Sequence, residues 1–336
     1  MMTLATTALL SPLLLVLPLH ALPTSSIEAG QAEEVQPDYE TGAATARGIA
    51  RADEAILYTV ETFSDVLNGG SGGMSVDPDG NVYVADFGET LGSPGKLGDK
   101  VFKITPEGVA SIYATGMVSA SGNELDDAGV LYQSNIAGGF IAKIETDGSW
   151  TVFAQQGIQG PVGIVIDDEG SLLVANCGNN TIQKVTIDGT STLFAQSALL
   201  RCPNGITKDD DGNFYVANFG NGRVLKITPA GLVTSLAIVP GNNNGHLTYH
   251  DGDLYVVARA RHQIYKVTLD GQVSLFAGTG QRGRHDGPAS TATFSFPNDI
   301  VVGPDGSFYV NDVVPHTGPQ SILAPMIVRR IRPVHP

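Results

Sequence analysis

A glycine that closes a turn between two apolar runs returns six times in this chain. It stands at Gly80, Gly129, Gly170, Gly212, Gly252 and Gly306, with spacings of 49, 41, 42, 40 and 54 residues. Nothing else in the 336 residues limits the fold as tightly. The run before each turn reads GMSV, NELD, VGIVI, NGITK, GHLTY or NDIVV, and the run after it NVYVAD, VLYQSN, SLLVAN, NFYVAN, DLYVVA or SFYVND. A third run follows in every unit (KVFKI, FIAKI, TIQKV, RVLKI, QIYKV, IVRRI) and a fourth in five of them (ASIYA, WTVFA, STLFA, VTSLA, VSLFA). Runs rich in β-branched and aromatic residues, divided by Gly-containing turns, read as strands. Four antiparallel strands at a period of about 40 residues make a propeller blade. The expected fold is therefore all-β, a six-bladed β-propeller.

The sixth unit has no fourth run, because the sequence stops at IVRRIRPVHP. The segment YTVETFSDV, residues 58–66, carries the fourth-strand pattern. The N-terminal segment is thus expected to be the outer strand of the last blade, which closes the ring and protects its edge. Residues 1–21, MMTLATTALLSPLLLVLPLHA, are apolar, uncharged and Pro-interrupted, and read as a signal peptide ending at Leu19-His20-Ala21, although no Lys or Arg precedes the apolar core. Residues 22–55 read as a disordered leader and 56–336 as the propeller. A secreted or periplasmic protein is expected, with no membrane span in the mature chain. The formal net charge of −15 disfavours nucleic acid and anionic membrane surfaces.

Three motifs imitate chemistry. Asp209, Asp210 and Asp211 resemble metal ligands but lack the alternate spacing of a calcium loop, and read as a strand-to-strand turn. GTGQRG, residues 278–283, matches the dinucleotide fingerprint, yet a strand-forming segment follows it rather than a helix. GGSGG, residues 69–73, matches a nucleophile elbow around Ser71 but precedes the first strand of blade one. The basic residue in each third strand (Lys103, Lys143, Lys184, Lys226, Lys266, Arg330) reads as a repeated structural position.

A propeller has two faces. One receives only tight turns such as DPDG and TIDG. The other receives every long insertion: 87–100, 278–296 and 313–326, which belong to neighbouring blades once the ring closes. These insertions are expected to wall one side of a pocket, with Arg282, Arg284, His285, His316 and Asn244 as substrate-binding candidates. At the start of the first strands stand Asn204, Asn244 and Asn298, with Gly72, Ser121 and Val162 at equivalent places. At the end of the second strands stand Asp86, Asn135, Asn176, Asn218 and Asp312, with Ala258 breaking the series. Amide and carboxylate oxygens at a narrow mouth suit a divalent metal, calcium first. The candidate ligands are Asn204, Asn298, Asp86 and Asp312, and the alternative is that the second-strand set holds turns. His246, near the axis, is the candidate base, with Asp86 or Asp312 as the acid. Cys177 and Cys202, the only cysteines, fall on this face in adjacent blades and are expected to pair in an exported protein; two free thiols are the cytosolic alternative.

The phrases FPNDIVVGPDGSFYVND and LFAGTGQRGRHDGPASTATFSFPNDI resemble NHL-repeat propellers, and the PNGI and YVAN pieces are similar to the senescence-marker-protein/gluconolactonase family. The gluconolactonase resemblance implies a central divalent metal held by Asn, Asp and a Glu. Asn204 sits in the matching PNG context, whereas LNGGSGGM offers Gly and Ser where the Glu would stand. Asp86 or Asp312 would then supply the acid. The functional expectation is a metal-assisted hydrolase of a small ester or lactone at the channel mouth. The alternative is a non-catalytic NHL-type propeller that binds a protein or glycan partner.

Overall fold

The computed structural model describes residues 57–91, 95–319 and 321–334, so the expected signal peptide and leader lie outside the described residues. Among the described residues six sheets form, and they are the six blades. Five contain four strands in chain order, beginning with the inner strands Ser71–Val76, Ala120–Leu125, Pro161–Ile166, Pro203–Lys208 and Asn244–His250. In the sixth, Leu57–Thr62 lies antiparallel to Met326–Val334, with Val60 opposite Ile331 and Thr62 opposite Arg329. The N-terminal strand does complete the last blade, over a shorter span than its sequence pattern suggested. A two-residue strand, Gly287–Pro288, pairs outside it and was not anticipated.

The core is divided among the seams between blades. One apolar cluster sets Tyr255, Val257 and Ile264 of blade five against Phe308 and Val310 of blade six. Another sets Met74, Val82 and Val84 of blade one against Tyr309, Met326 and Val328 of blade six, so the ring is sealed by the same packing that joins consecutive blades. The turns behave as their residues require. Asp209 accepts the backbone N–H groups of Asp211 and Asn213, at 3.0 and 2.8 Å, and the following Gly212 has φ +76°. Asp77, Asp126 and Asp167 make the same bonds in their blades. The third-strand cations are structural: Lys184 pairs with Asp167 and Glu169, and Arg330 with Glu61.

The long insertions meet on one face. Thr90 bridges Ile322, Leu91 N–H donates to the Ser321 carbonyl, and Leu323 N–H to the Glu89 carbonyl. The Arg282 guanidinium reaches the Gly318 carbonyl at 3.4 Å. Cys177 and Cys202 form a disulfide across blades three and four. Among the described residues no helix is long and apolar enough to cross a membrane.

Candidate functional site

The inner strands line the axis, and their register selects which side chains reach it. Met74, Asn123, Ile164, Ile206, Leu247 and Ile300 pair with equivalent second-strand residues in the six blades. The residue before each is Gly73, Gly122, Gly163, Gly205, His246 and Asp299. Glycine is a steric requirement in the first four. A Cβ on Gly73 would lie 2.4 Å from the Gly122 Cα, one on Gly122 2.4 Å from the Val162 carbonyl oxygen, and one on Gly205 2.5 Å from the His246 Cα. Blades five and six depart from this rule together and place an imidazole and a carboxyl at the axis.

These side chains line a cavity of about 270 Å³ bounded by all six blades. Its walls are the halves of the inner strands that run into the tight turns, including Ser75, Glu124, Thr207, Tyr249 and Val302. The acid–base groups of the axis therefore lie toward the face opposite the insertions, not at the insertion-bearing mouth that the loop pattern suggested.

Asp299 is buried. Its Oδ2 accepts the Met74 N–H at 2.5 Å, which ties blade six to blade one, and its Oδ1 accepts the Ile300 N–H at 2.7 Å. Asn311 fixes the same segment: its Oδ1 accepts the Asp299 N–H at 2.9 Å, and its Nδ2 donates to the Gly72 carbonyl at 2.8 Å. Burial outweighs these N–H bonds and pushes the Asp299 carboxyl up to about 8. His246 Nδ1 stands 3.5 Å from Asp299 Oδ1, and burial pushes the imidazole down to about 4. Glu124 lines the cavity and is half-buried. Burial first, and the charge of Asp299 second, push it up to about 8. In the neutral range both carboxyls hold protons and the imidazole is uncharged. Three buried polar atoms on residues that line this cavity have no protein partner: His246 Nε2, Ser75 Oγ and Asn123 Oδ1. Such atoms are costly unless something else satisfies them.

Of the expected site residues, His246 occupies the cavity, while Asp86 and Asp312 serve as latches. Asp86 Oδ1 accepts the N–H groups of Gly70 and Gly88 at 2.8 and 3.0 Å. Both oxygens of Asp312 accept the Ser295 N–H, at 2.7 and 2.9 Å, and the Arg329 guanidinium lies 3.6 Å away. Asn135 holds the Val118 N–H, and Asn218 the Arg201 N–H, from the same strand position. The expected amides act as stitches between blades. Asn204 Nδ2 donates to the Asn244 carbonyl at 3.1 Å, and Asn298 Nδ2 to the Gly72 carbonyl at 2.8 Å. Asn244 pairs with Ala258 as Ser71 pairs with Asp86, so it stands one position before the place equivalent to Asn204 and Asn298, which Gly245 fills.

These residues do not fit a divalent-metal site. Their carboxylates are engaged by separate backbone segments, and among the described residues no three His, Cys, Asp or Glu side chains gather to hold a metal. Arg282 and His316 come together on the insertion face, around Phe296. Arg284 and His285 are exposed and take no part in that cluster. Asp299 and Glu124 were missed by sequence reasoning. The usable signal was the glycine repeated at one inner-strand position and broken twice.

Comparison with known proteins agrees with this architecture. Residues 159–185 and 200–227 match the NHL repeat model. No curated protein matches by sequence. A gluconolactonase from Xanthomonas campestris is 13% identical with a TM-score of 0.61, over 82% of this chain and 89% of that one. An auxiliary nutrient binding protein from Bacteroides ovatus is 16% identical with a TM-score of 0.63, over 83% and 78%. A catalytically inactive histidine-to-alanine variant of virginiamycin B lyase from Staphylococcus aureus, with quinupristin, is 15% identical with a TM-score of 0.55, over 82% and 99%. At these identities the likeness is one of fold. The chain is a six-bladed β-propeller, two stretches of which match the NHL repeat.

Proposed function

We propose that this propeller is a hydrolase of a small ester or lactone, working by acid–base chemistry in the axial cavity. The observation that carries the reading is the pair His246 and Asp299 in the cavity lining, set where four other blades have glycine, with His246 Nε2 buried and without a partner. Asp299 faces Nδ1 and orients the ring, which leaves Nε2 for chemistry. His246 takes a proton from water as the water oxygen bonds to the acyl carbon. The Glu124 carboxylic acid gives a proton to the departing alkoxide as the C–O bond breaks. The products are a carboxylic acid and an alcohol, and proton return from His246 to Glu124 resets the site. A base pushed down and an acid pushed up are charged correctly for these roles at neutral pH. The cavity is at the small end of ligand sites, which supports a compact substrate.

The divalent cation suggested by the gluconolactonase resemblance has no place in this scheme, since the residues that would hold it are latches and stitches. The disulfide supports export to an oxidising compartment, secreted or periplasmic. The fold is shared with a nutrient binding protein, and a non-catalytic binder is the competing reading. Turnover decides between them. The test is hydrolysis of a panel of aryl esters and aliphatic lactones by protein stripped with chelator, with Glu124→Gln beside it. The proposal expects turnover that survives chelation and falls about 10²-fold or more in Glu124→Gln. Binding of the same compounds without turnover would establish the binder.

A further inference from the structure

In blade three the second and third strands are joined by Cys177-Gly178-Asn179-Asn180, and the third strand begins at Thr181. Asn179-Asn180-Thr181 is an Asn-x-Thr triplet, and no other asparagine in the 336 residues has Ser or Thr two places on. In an exported chain such a triplet is an acceptor for an N-linked glycan, and it calls for a surface turn. The structure supplies that turn. It lies on the insertion-bearing face, in a blade that carries none of the long insertions, with Gly178 exposed and Asn179 partly exposed. Cys177, two residues before Asn179, forms the disulfide to Cys202.

The asparagines of this segment divide the work. Asn176 Nδ2 donates to the Gly157 carbonyl at 2.9 Å. Asn180 holds φ +58°, and its Oδ1 accepts the Cys202 N–H at 2.6 Å, which ties the turn to blade four. Asn179 uses its oxygen alone: Oδ1 accepts the Thr181 hydroxyl at 2.7 Å, and Nδ2, the atom a glycan takes, donates no hydrogen bond among the described residues. Asn221 holds the same turn position in blade four, three residues after Asn218 as Asn179 is after Asn176. Its Oδ1 accepts the Arg223 N–H at 3.2 Å, and Arg223 stands where blade three has Thr181. Phe140 stands there in blade two, opposite Asn135 as Thr181 is opposite Asn176. The repeat therefore accounts for an asparagine in this turn but does not call for a hydroxyl two residues later.

We propose that Asn179 is an N-glycosylation site, a reading that rests on the export proposed above. The Asn179 amide nitrogen bonds to the anomeric carbon of an oligosaccharide carried on a lipid diphosphate. The bond from that carbon to the phosphate oxygen breaks, the lipid diphosphate leaves with the electron pair, and the amide gives up one proton. Thr181 is buried in the finished blade, so transfer precedes the pairing of Thr181–Val185 with Leu172–Asn176. The test is expression of the full chain, with its own N-terminus, in a yeast secretory host. Medium and cells are treated with peptide N-glycosidase, which converts a glycosylated asparagine to aspartate, and position 179 is read by mass spectrometry. A discrete mobility shift is expected that the glycosidase removes, that Thr181→Ser keeps and Asn179→Gln loses, with Asn221 unmodified. Should Asn179→Gln fail to fold, the mass of the wild-type peptide alone decides. Secreted protein with its disulfide formed and Asn179 unmodified overturns the proposal and leaves export standing. Protein held in the cytosol with Cys177 and Cys202 as free thiols overturns both.

Discussion

Raising the pH from 6.5 to 8 should weaken the fold, and Asp299→Asn should remove much of that loss. The Asp299 carboxyl is pushed from 3.8 up to about 8 in the folded protein. The native state therefore holds a proton through this range that the unfolded chain has released, so stability falls as pH rises toward 8 and levels beyond it. Glu124, raised from 4.5 to about 8, acts in the same direction. His246, pushed from 6.5 down to about 4, acts oppositely, but only between those two values. Between pH 4.5 and 6.5 it cancels one of the two acids, and above 6.5 both act unopposed. One proton is worth about 1.4 kcal/mol per pH unit, so Asp299 alone accounts for roughly 2 kcal/mol between pH 6.5 and 8. Glu124 adds less than an equal share, because it is only half-buried and solvent screening reduces its part. Urea denaturation at half-unit steps from pH 5 to 9 measures this. The wild type should lose about 2–4 kcal/mol above pH 6.5, and Asp299→Asn less than half of that. The variant should also start lower by about 1–3 kcal/mol, because an amide cannot accept both the Met74 and Ile300 N–H bonds. A flat profile in the wild type, or the same slope in both proteins, would show that these carboxyls are not protonated in the fold.

Other consequences follow from the same geometry. Asp86→Ala should cost about 1–3 kcal/mol in chemical denaturation by orphaning the Gly70 and Gly88 N–H groups, with no change in bound metal by elemental analysis. Gly122→Ala should destabilise by at least about 1–3 kcal/mol, read as a lower melting temperature, because its Cβ would stand 2.4 Å from a neighbouring blade's carbonyl. Reducing the Cys177–Cys202 bridge, which spans 25 residues, should lower stability by about 3–4 kcal/mol in the chain-entropy model, measured by denaturation with and without reductant.

The blade count, the closing strand and the gathering of insertions were legible because each rests on local pattern. A turn glycine marks each blade, and YTVETF carries the alternation of an outer strand. The site was less legible, for a reason built into the inner strands. In the first five blades the pairing slips between the first and fourth residues of that strand, as between Pro161 and Ile164 or Asn244 and Leu247. Such a bulge breaks the two-residue alternation that tells inward from outward side chains. This is why Asn244 was aligned with Asn204, and why the significance of Asp299 beside Asn298 was not apparent. Asp86 and Asp312 misled in another way. A carboxylate at a strand end looks the same in sequence whether it faces a ligand or a backbone N–H, and only the fold of the preceding connection decides.

The most direct test of the channel mechanism is the pH–rate profile for hydrolysis of the best ester or lactone in the presence of chelator, set beside His246→Ala. A bell should rise through about 4 and fall through about 8, the two limbs belonging to the coupled cluster. His246→Ala, still folded, should lose about 10²-fold or more in kcat. A profile that ignores this cluster, or a folded His246→Ala that hydrolyses as fast as the wild type, would contradict catalysis in the axial cavity.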